Sequence, residues 1–126
     1  MLKSLTDNSR RVDITFHRDG RIDINAHVAK MLGLQDGDVI DIATDGIECY
    51  LYIRHQSARA VGRHRGRCYA THRGKRKQNN LRAYNVALTR AMLRGRNADA
   101  VSLSVGEVVE TAELGRALPI ITRAGV

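Results

Sequence analysis

The sequence predicts a mainly β fold with one or two short helices, an α+β class. Three observations carry that reading. Apolar residues alternate with polar ones in several short runs, Asp-Gly dipeptides punctuate the runs, and helical spacing is confined to two brief segments. At 126 residues and 43% hydrophobic, the chain has apolar surface for one small core or two very small ones.

Val12, Ile14 and Phe16 alternate with Asp13 and Thr15, which marks a strand with one buried face. Asp19-Gly20 turns the chain, and Ile22 and Ile24 resume the alternation beside Arg21 and Asp23. Asn25 is placed to cap a short helix through its side-chain oxygen, with Val28, Met31 and Leu32 at helical spacing. Gly33 suits the left-handed residue that ends a helix, and Leu34 the apolar contact that accompanies such an ending. Asp36-Gly37-Asp38 then leads into Val39, Ile40 and Ile42. Asp45-Gly46 is a two-residue hairpin signal, because both central positions of that turn can need positive φ. Ile47, Cys49, Leu51 and Ile53 alternate with Glu48, Tyr50, Tyr52 and Arg54, the clearest strand in the chain.

Composition shifts near residue 54, which divides the chain into 1–54 and 55–126. Gly62, Gly66 and Gly74 interrupt the next stretch, where only Cys68-Tyr69-Ala70-Thr71 is strand-like. The polar, basic run from His72 to Asn80 reads as a mobile loop. Asn79 or Asn80 is expected to cap a helix over about 81–94 that Gly95 closes. Its apolar face would hold Leu81, Tyr84, Leu88, Ala91 and Met92, with Arg82, Arg90 and Arg94 opposite. Val101, Leu103 and Val105 alternate with Ser102 and Ser104 as a further strand ended by Gly106. Leu118 to Ile121 suggest a last strand, which Pro119 would confine to an edge or to a strand's first residue. No internal repeat is legible in the residues.

Charge is distributed unevenly. The net +8 is the sum of two acidic flanks and a basic middle, for residues 49–98 hold 13 Lys or Arg and no Asp or Glu. Local ion pairs cannot neutralise such a window, so its charge meets solvent, the acidic flanks or a polyanion. Nucleic acid is the expected polyanion. No run of about 18 apolar residues exists, so no membrane partner is expected. Met1 to Asp7 lack the apolar stretch of a signal peptide, and two cysteines are too few for a secreted disulfide framework. A cytoplasmic location follows as the expectation.

The segment DGRIDINAHVAKMLGLQDGDVIDIATDG resembles the AbrB-type swapped-hairpin family, which includes MazE-type antitoxins. The resemblance rests on Gly20-Arg21-Ile22, Ile24, Leu32-Gly33-Leu34, Gly37-Asp38 and Ile40-Asp41-Ile42, and covers about residues 12–54. Asn25 stands where the family usually has Pro, and Ala29 and Lys30 stand where it often has two basic helix residues. Ile14 and Thr15 replace basic residues of the first strand, with Arg18 nearby in the turn. The resemblance implies an N-terminal swapped-hairpin β-barrel formed by a homodimer, followed by a small basic α+β segment of no recognised family. About 45 residues of short strands bury too little apolar area alone, so pairing with a second copy is physically expected.

Candidate nucleic-acid contacts are Arg18, Arg21 and Lys30 in the first part. In the second they are Arg63, Arg65, Arg67, Arg73, Lys75, Arg76 and Lys77, whose charge and reach suit phosphates. Solvated surface cations are the alternative for each. Tyr69, set between Arg67 and Arg73, could stack on a base or sit half-buried with a wet hydroxyl. The set Cys49, His55, His64, Cys68 and His72 lacks zinc-site spacing, so no metal or other cofactor is expected. The nucleophile-elbow, phosphate-loop and zinc-protease motifs are absent, and no catalytic residue is nominated.

These readings converge on a small homodimeric DNA-binding transcriptional regulator, DNA favoured over RNA, that grips mainly phosphates. A protein-assembly or antitoxin-type module docking an acidic partner, and an RNA-binding factor, are the alternatives. An antitoxin would usually carry a disordered tail, whereas residues 99–126 alternate like strands.

Overall fold

The computed structural model describes residues 12–54, 67–73 and 76–122. The fold is mainly β with two helices, and its strands form one curled antiparallel sheet, a half-barrel. In chain order the elements are β1 (Ile14–His17), β2 (Arg21–Ile24), α1 (Ala26–Leu32), β3 (Val39–Thr44) and β4 (Cys49–Arg54). After them come β5 (Tyr69–Arg73), β6 (Arg76–Tyr84), α2 (Val86–Leu93), β7 (Ala100–Val105), β8 (Val109–Thr111) and β9 (Gly115–Ile121). The sheet runs β3-β4-β9-β7-β1-β2-β6-β5, with β8 beside β9. The composition shift near residue 54 coincides with the end of β4, and strands from both sides of it share this sheet. None of the described helices is long and apolar enough to cross a membrane.

The first part forms largely as its residues dictate. Asn25 caps α1, its Oδ1 accepting from the Val28 N–H at 3.0 Å. Gly33 ends the helix with φ +73°, and the Leu34 N–H returns to the Ala29 carbonyl while its side chain is buried. Gly20 is required on two counts. Its φ is +106°, and a Cβ there would lie 2.8 Å from the Val86 side chain at the start of α2.

Two details of the first part differ from expectation. Asp13 is buried and Val12 exposed, because the Asp13 carboxylate accepts from the Val105 N–H at 3.0 Å and from the Asn25 amide at 3.2 Å. The β3–β4 connection runs over Asp45–Glu48 rather than two residues, with positive φ at Gly46 alone. The Asp45 carboxylate there accepts the N–H groups of Ile47 and Glu48, and Ile47 is exposed instead of opening the strand.

The second part departs further. Of the expected loop over 72–80, residues 72–73 and 76–80 are strand, since β5 and β6 pair from Tyr69↔Arg82 to Arg73↔Arg76. The expected helix over 81–94 starts only at Val86, capped by Asn85 instead of Asn79 or Asn80. Leu81 and Ala83 are buried while Tyr84 is exposed, a period of two set by pairing with β2. Within α2 the buried residues are Thr89, Met92 and Leu93, and Arg90 and Arg94 remain outside.

Pro119 sits inside β9 and not at its end. Its carbonyl accepts from the Gly106 N–H, and the N–H that proline lacks would point to the same side. On that side β7 pairs at Ile120–Ile121 and β8 at Gly115–Ala117. The missing donor therefore falls in the gap where β9 changes partner, and no ladder bond is lost.

The core lies inside the curl, with Ile14, Phe16, Ile22, Leu51, Ala83 and Leu118 among its fully buried members. At about 25 cal/mol per Å² of buried apolar area, this core is the main favourable term of the fold.

Candidate nucleic-acid interface

The outward positions of β1, β2, β6 and β5 carry polar and aromatic side chains that the strand registers bring together. Asp23 is opposite Arg82, Arg21 opposite Tyr84, and Tyr69 opposite Arg82. Asp23 is the hub. Its Oδ1 accepts from Arg82 Nε at 2.6 Å, and its Oδ2 lies 2.9 Å from His17 Nε2. Arg21 Nε approaches Oδ2 to 3.2 Å without hydrogen-bond geometry. The His17 ring also faces Arg21 Nη2, 3.1 Å from Nε2. A neutral ring can donate from Nε2 to Asp23 or accept there from Arg21, but cannot do both.

Partial burial pushes the Asp23 carboxyl upward. The hydrogen bonds from Arg82 and His17 and the charges of Arg82 and Arg21 outweigh it and hold the group below its ordinary value. The same hydrogen bond raises Arg82. One carboxylate thus serves two guanidinium groups, and the cluster keeps net positive charge. Beside it the Tyr69 and Tyr84 rings stack at 6.3 Å between centroids, 17° apart, with both residues exposed. Burial and the neighbouring Tyr84 hydroxyl raise the Tyr69 phenol, so its ring is neutral near pH 7.

From this face the β5–β6 hairpin continues as an arm. Only Leu81–Tyr84 of β6 pair with β2, while Arg76–Asn80 have β5 alone among the described strands. Asn80 braces the arm's base, its Oδ1 accepting from the Ala26 N–H at 2.9 Å. Toward the tip the register sets His72 opposite Lys77 and Arg73 opposite Arg76.

The candidate residues thus separate into groups. Arg73, Arg76 and Lys77 share the arm. Arg21 lies in the Asp23 cluster. Arg18 is exposed but committed, donating to the Ala98 carbonyl at 2.5 Å and pairing with Asp99 at 3.7 Å. Arg67 is half-buried and donates to the Gly37 carbonyl at 2.9 Å. Lys30 is exposed in the last turn of α1. Arg63, Arg65 and Lys75 lie outside the described residues.

Sequence reasoning missed the association of His17, Asp23 and Arg82, because Arg82 was assigned to the wet side of a helix. The alternation Leu81-Arg82-Ala83-Tyr84 was the signal that places Arg82 and Tyr84 on one strand face. Among the described residues no group of three His, Cys, Asp or Glu could hold a metal ion. Burial, with the charges of Asp38 and Asp36, pushes the Cys68 thiol up to about 12.

Comparison with known proteins brings no relative: no family model matches the chain, and neither a curated protein nor a solved structure matches it. The class of protein therefore rests on the curled sheet, its arm and the charged face.

Proposed function

We propose that this protein binds nucleic acid, duplex DNA in preference to RNA, as a small DNA-binding regulator. The observation that carries the reading is the arm, a two-stranded ribbon whose cross-strand partners are Arg73↔Arg76 and His72↔Lys77. A ribbon that gathers cations and has no carboxylate of its own suits phosphates. A two-stranded ribbon also has the width that the major groove of B-DNA admits. The Arg21–Asp23–Arg82 cluster lies on the sheet face from which the arm extends, where its residual positive charge would meet the adjacent backbone. Binding energy on this account is mainly counterion release, with sequence preference a smaller contribution.

Affinity for a DNA duplex measured across salt concentration tests this. The expected log–log slope is steeply negative, on the order of −4 or steeper if the arm and cluster each meet phosphates. A flat dependence, or no binding at low salt, overturns the proposal.

A second reading has its own observation, the exposed Tyr69–Tyr84 stack beside Arg82. Exposed aromatics among cations suit the bases of a single strand. Competition between duplex DNA and single-stranded RNA or DNA of equal length decides between the two, and preference for the single strand moves the function to that reading.

A further inference from the structure

The sheet order contains a symmetry that the residues hide. Residues 12–54 run as a hairpin, an Asn-capped helix, a left-handed glycine and a strand pair. Residues 67–122 repeat the series: hairpin β5–β6, Asn85, α2, Gly95 with φ +77°, then β7 and β9 with short β8 between them. The caps match in detail. Asn25 and Asn85 accept from the N–H three residues on, at 3.0 and 3.1 Å, and both carbonyls accept from the N–H four residues on.

The two units meet as symmetric partners do. If Asp23 corresponds to Arg82, then Ile22 corresponds to Leu81 and Ile24 to Ala83. Across β2 and β6, Ile22 pairs with Ala83 and Ile24 with Leu81, each residue with the counterpart of the other's neighbour. What a two-fold relation requires is that a strand meet its own counterpart antiparallel, as β2 meets β6. β4 likewise pairs antiparallel with its counterpart β9, the fully buried Leu51 and Leu118 lying opposite one another.

The remaining contacts are reciprocal too. β1 of the first unit pairs with β7 of the second, and the chain entering β5 meets the start of β3. There Val39 bridges Arg67, and Cys68 N–H donates to the Asp38 carbonyl at 2.7 Å. The first hairpin, β1–β2, lies between β7 and β6, both strands of the second unit. The second hairpin lies against β2 and touches β3, both of the first.

We infer that this chain is a fused pair of diverged copies of one unit, each copy the other's dimerisation partner. The swapped-hairpin exchange expected between two chains is completed within one. Ile22, Ile24, Leu81, Ala83, Leu51 and Leu118, the apolar side chains at the exchanged surfaces, are all buried by a single molecule. Linking two partners in one chain makes their pairing intramolecular, which outcompetes association with a second chain at ordinary concentrations. A consequence, which rests on the nucleic-acid reading, concerns the partner's shape. Only the second unit carries the basic arm, so each molecule grips once and its target need not have two-fold symmetry.

Ile120→Cys in a Cys68→Ala background tests the closure, because position 120 faces the native Cys49 across β4 and β9. After mild oxidation without nucleic acid, the folded protein is expected to run as a single chain on a non-reducing gel, with 49 and 120 joined in one peptide map. Disulfide-linked dimers, or free thiols in a protein with native circular dichroism, overturn the inference. Should that variant not fold, the mass of the unmodified protein in dilute solution decides, 14.0 kDa supporting closure and an undissociated dimer overturning it. Both readouts precede any binding assay, so failure of the DNA reading would leave them unchanged.

Discussion

The two hairpins of this protein, β1–β2 and β5–β6, have corresponding places in the sheet and opposite electrostatics. The first is neutralised at home. Arg18 at its turn pairs with Asp99, and His17 and Arg21 lie against Asp23. The second contains no carboxylate between Tyr69 and Tyr84, and its register sets Arg73 opposite Arg76. Of the second hairpin's cations Arg82 is met by Asp23, while the others have no carboxylate within the hairpin itself. Natural sheets use cations to guard an edge strand against unwanted pairing, and β5, at the end of the sheet order, gains that protection as well.

Substitution in each hairpin should separate the two roles. Phe16→Ala removes a fully buried ring from the first, and should cost about 3–5 kcal/mol in denaturant unfolding, enough to unfold a marginal domain. If that variant keeps wild-type stability, the first hairpin is not the structural one. Arg73→Gln, Arg76→Gln and Lys77→Gln together should do the reverse. Duplex affinity near physiological salt should fall on the order of 100-fold and the salt slope flatten by about three, while stability holds or rises slightly. Unchanged affinity would remove the arm from the interface.

How much of this was legible differs between the same two regions. In the first, local chemistry and tertiary structure agree: the Asn25 cap, the left-handed Gly33 and the buried Leu34 all follow from the residues on site. In the second, the run from Leu81 to Met92 satisfies a helical period on paper, and only pairing with β2 makes its first four residues a strand. That pairing is a contact between residues about sixty apart, which no local pattern encodes. The internal duplication was hidden for a related reason. The counterparts Asp23 and Arg82 have opposite charges, Ile24 and Ala83 differ in bulk, and Tyr84 adds a residue before the second cap. What persisted is the strand order, in which β2 pairs with β6 and β4 with β9, a property of backbone pairing and not of side-chain identity. The basic composition of the middle segment was plain from the start, but its geometry was not. A run of cations reads the same whether it is a loop or a ribbon.

The smallest predicted effect is the most discriminating, because one substitution should move two readouts in opposite directions. In the folded protein Asp23 is held below its ordinary value of 3.8, so it binds a proton less readily than in the unfolded chain. Its stabilisation is complete above that ordinary value and is lost as pH falls through the depressed one. Asp23→Asn should therefore cost about 1 kcal/mol or less at pH 7, the group being partly solvated, and should remove part of the stability loss seen on acidification below about pH 4. The same change frees Arg21 and Arg82 from their shared counterion. If this face meets phosphates, duplex affinity at moderate salt should rise about two- to five-fold even as the protein becomes less stable. A loss of affinity in step with the loss of stability would instead make the cluster a strut of the first hairpin, leaving the arm as the whole of the interface.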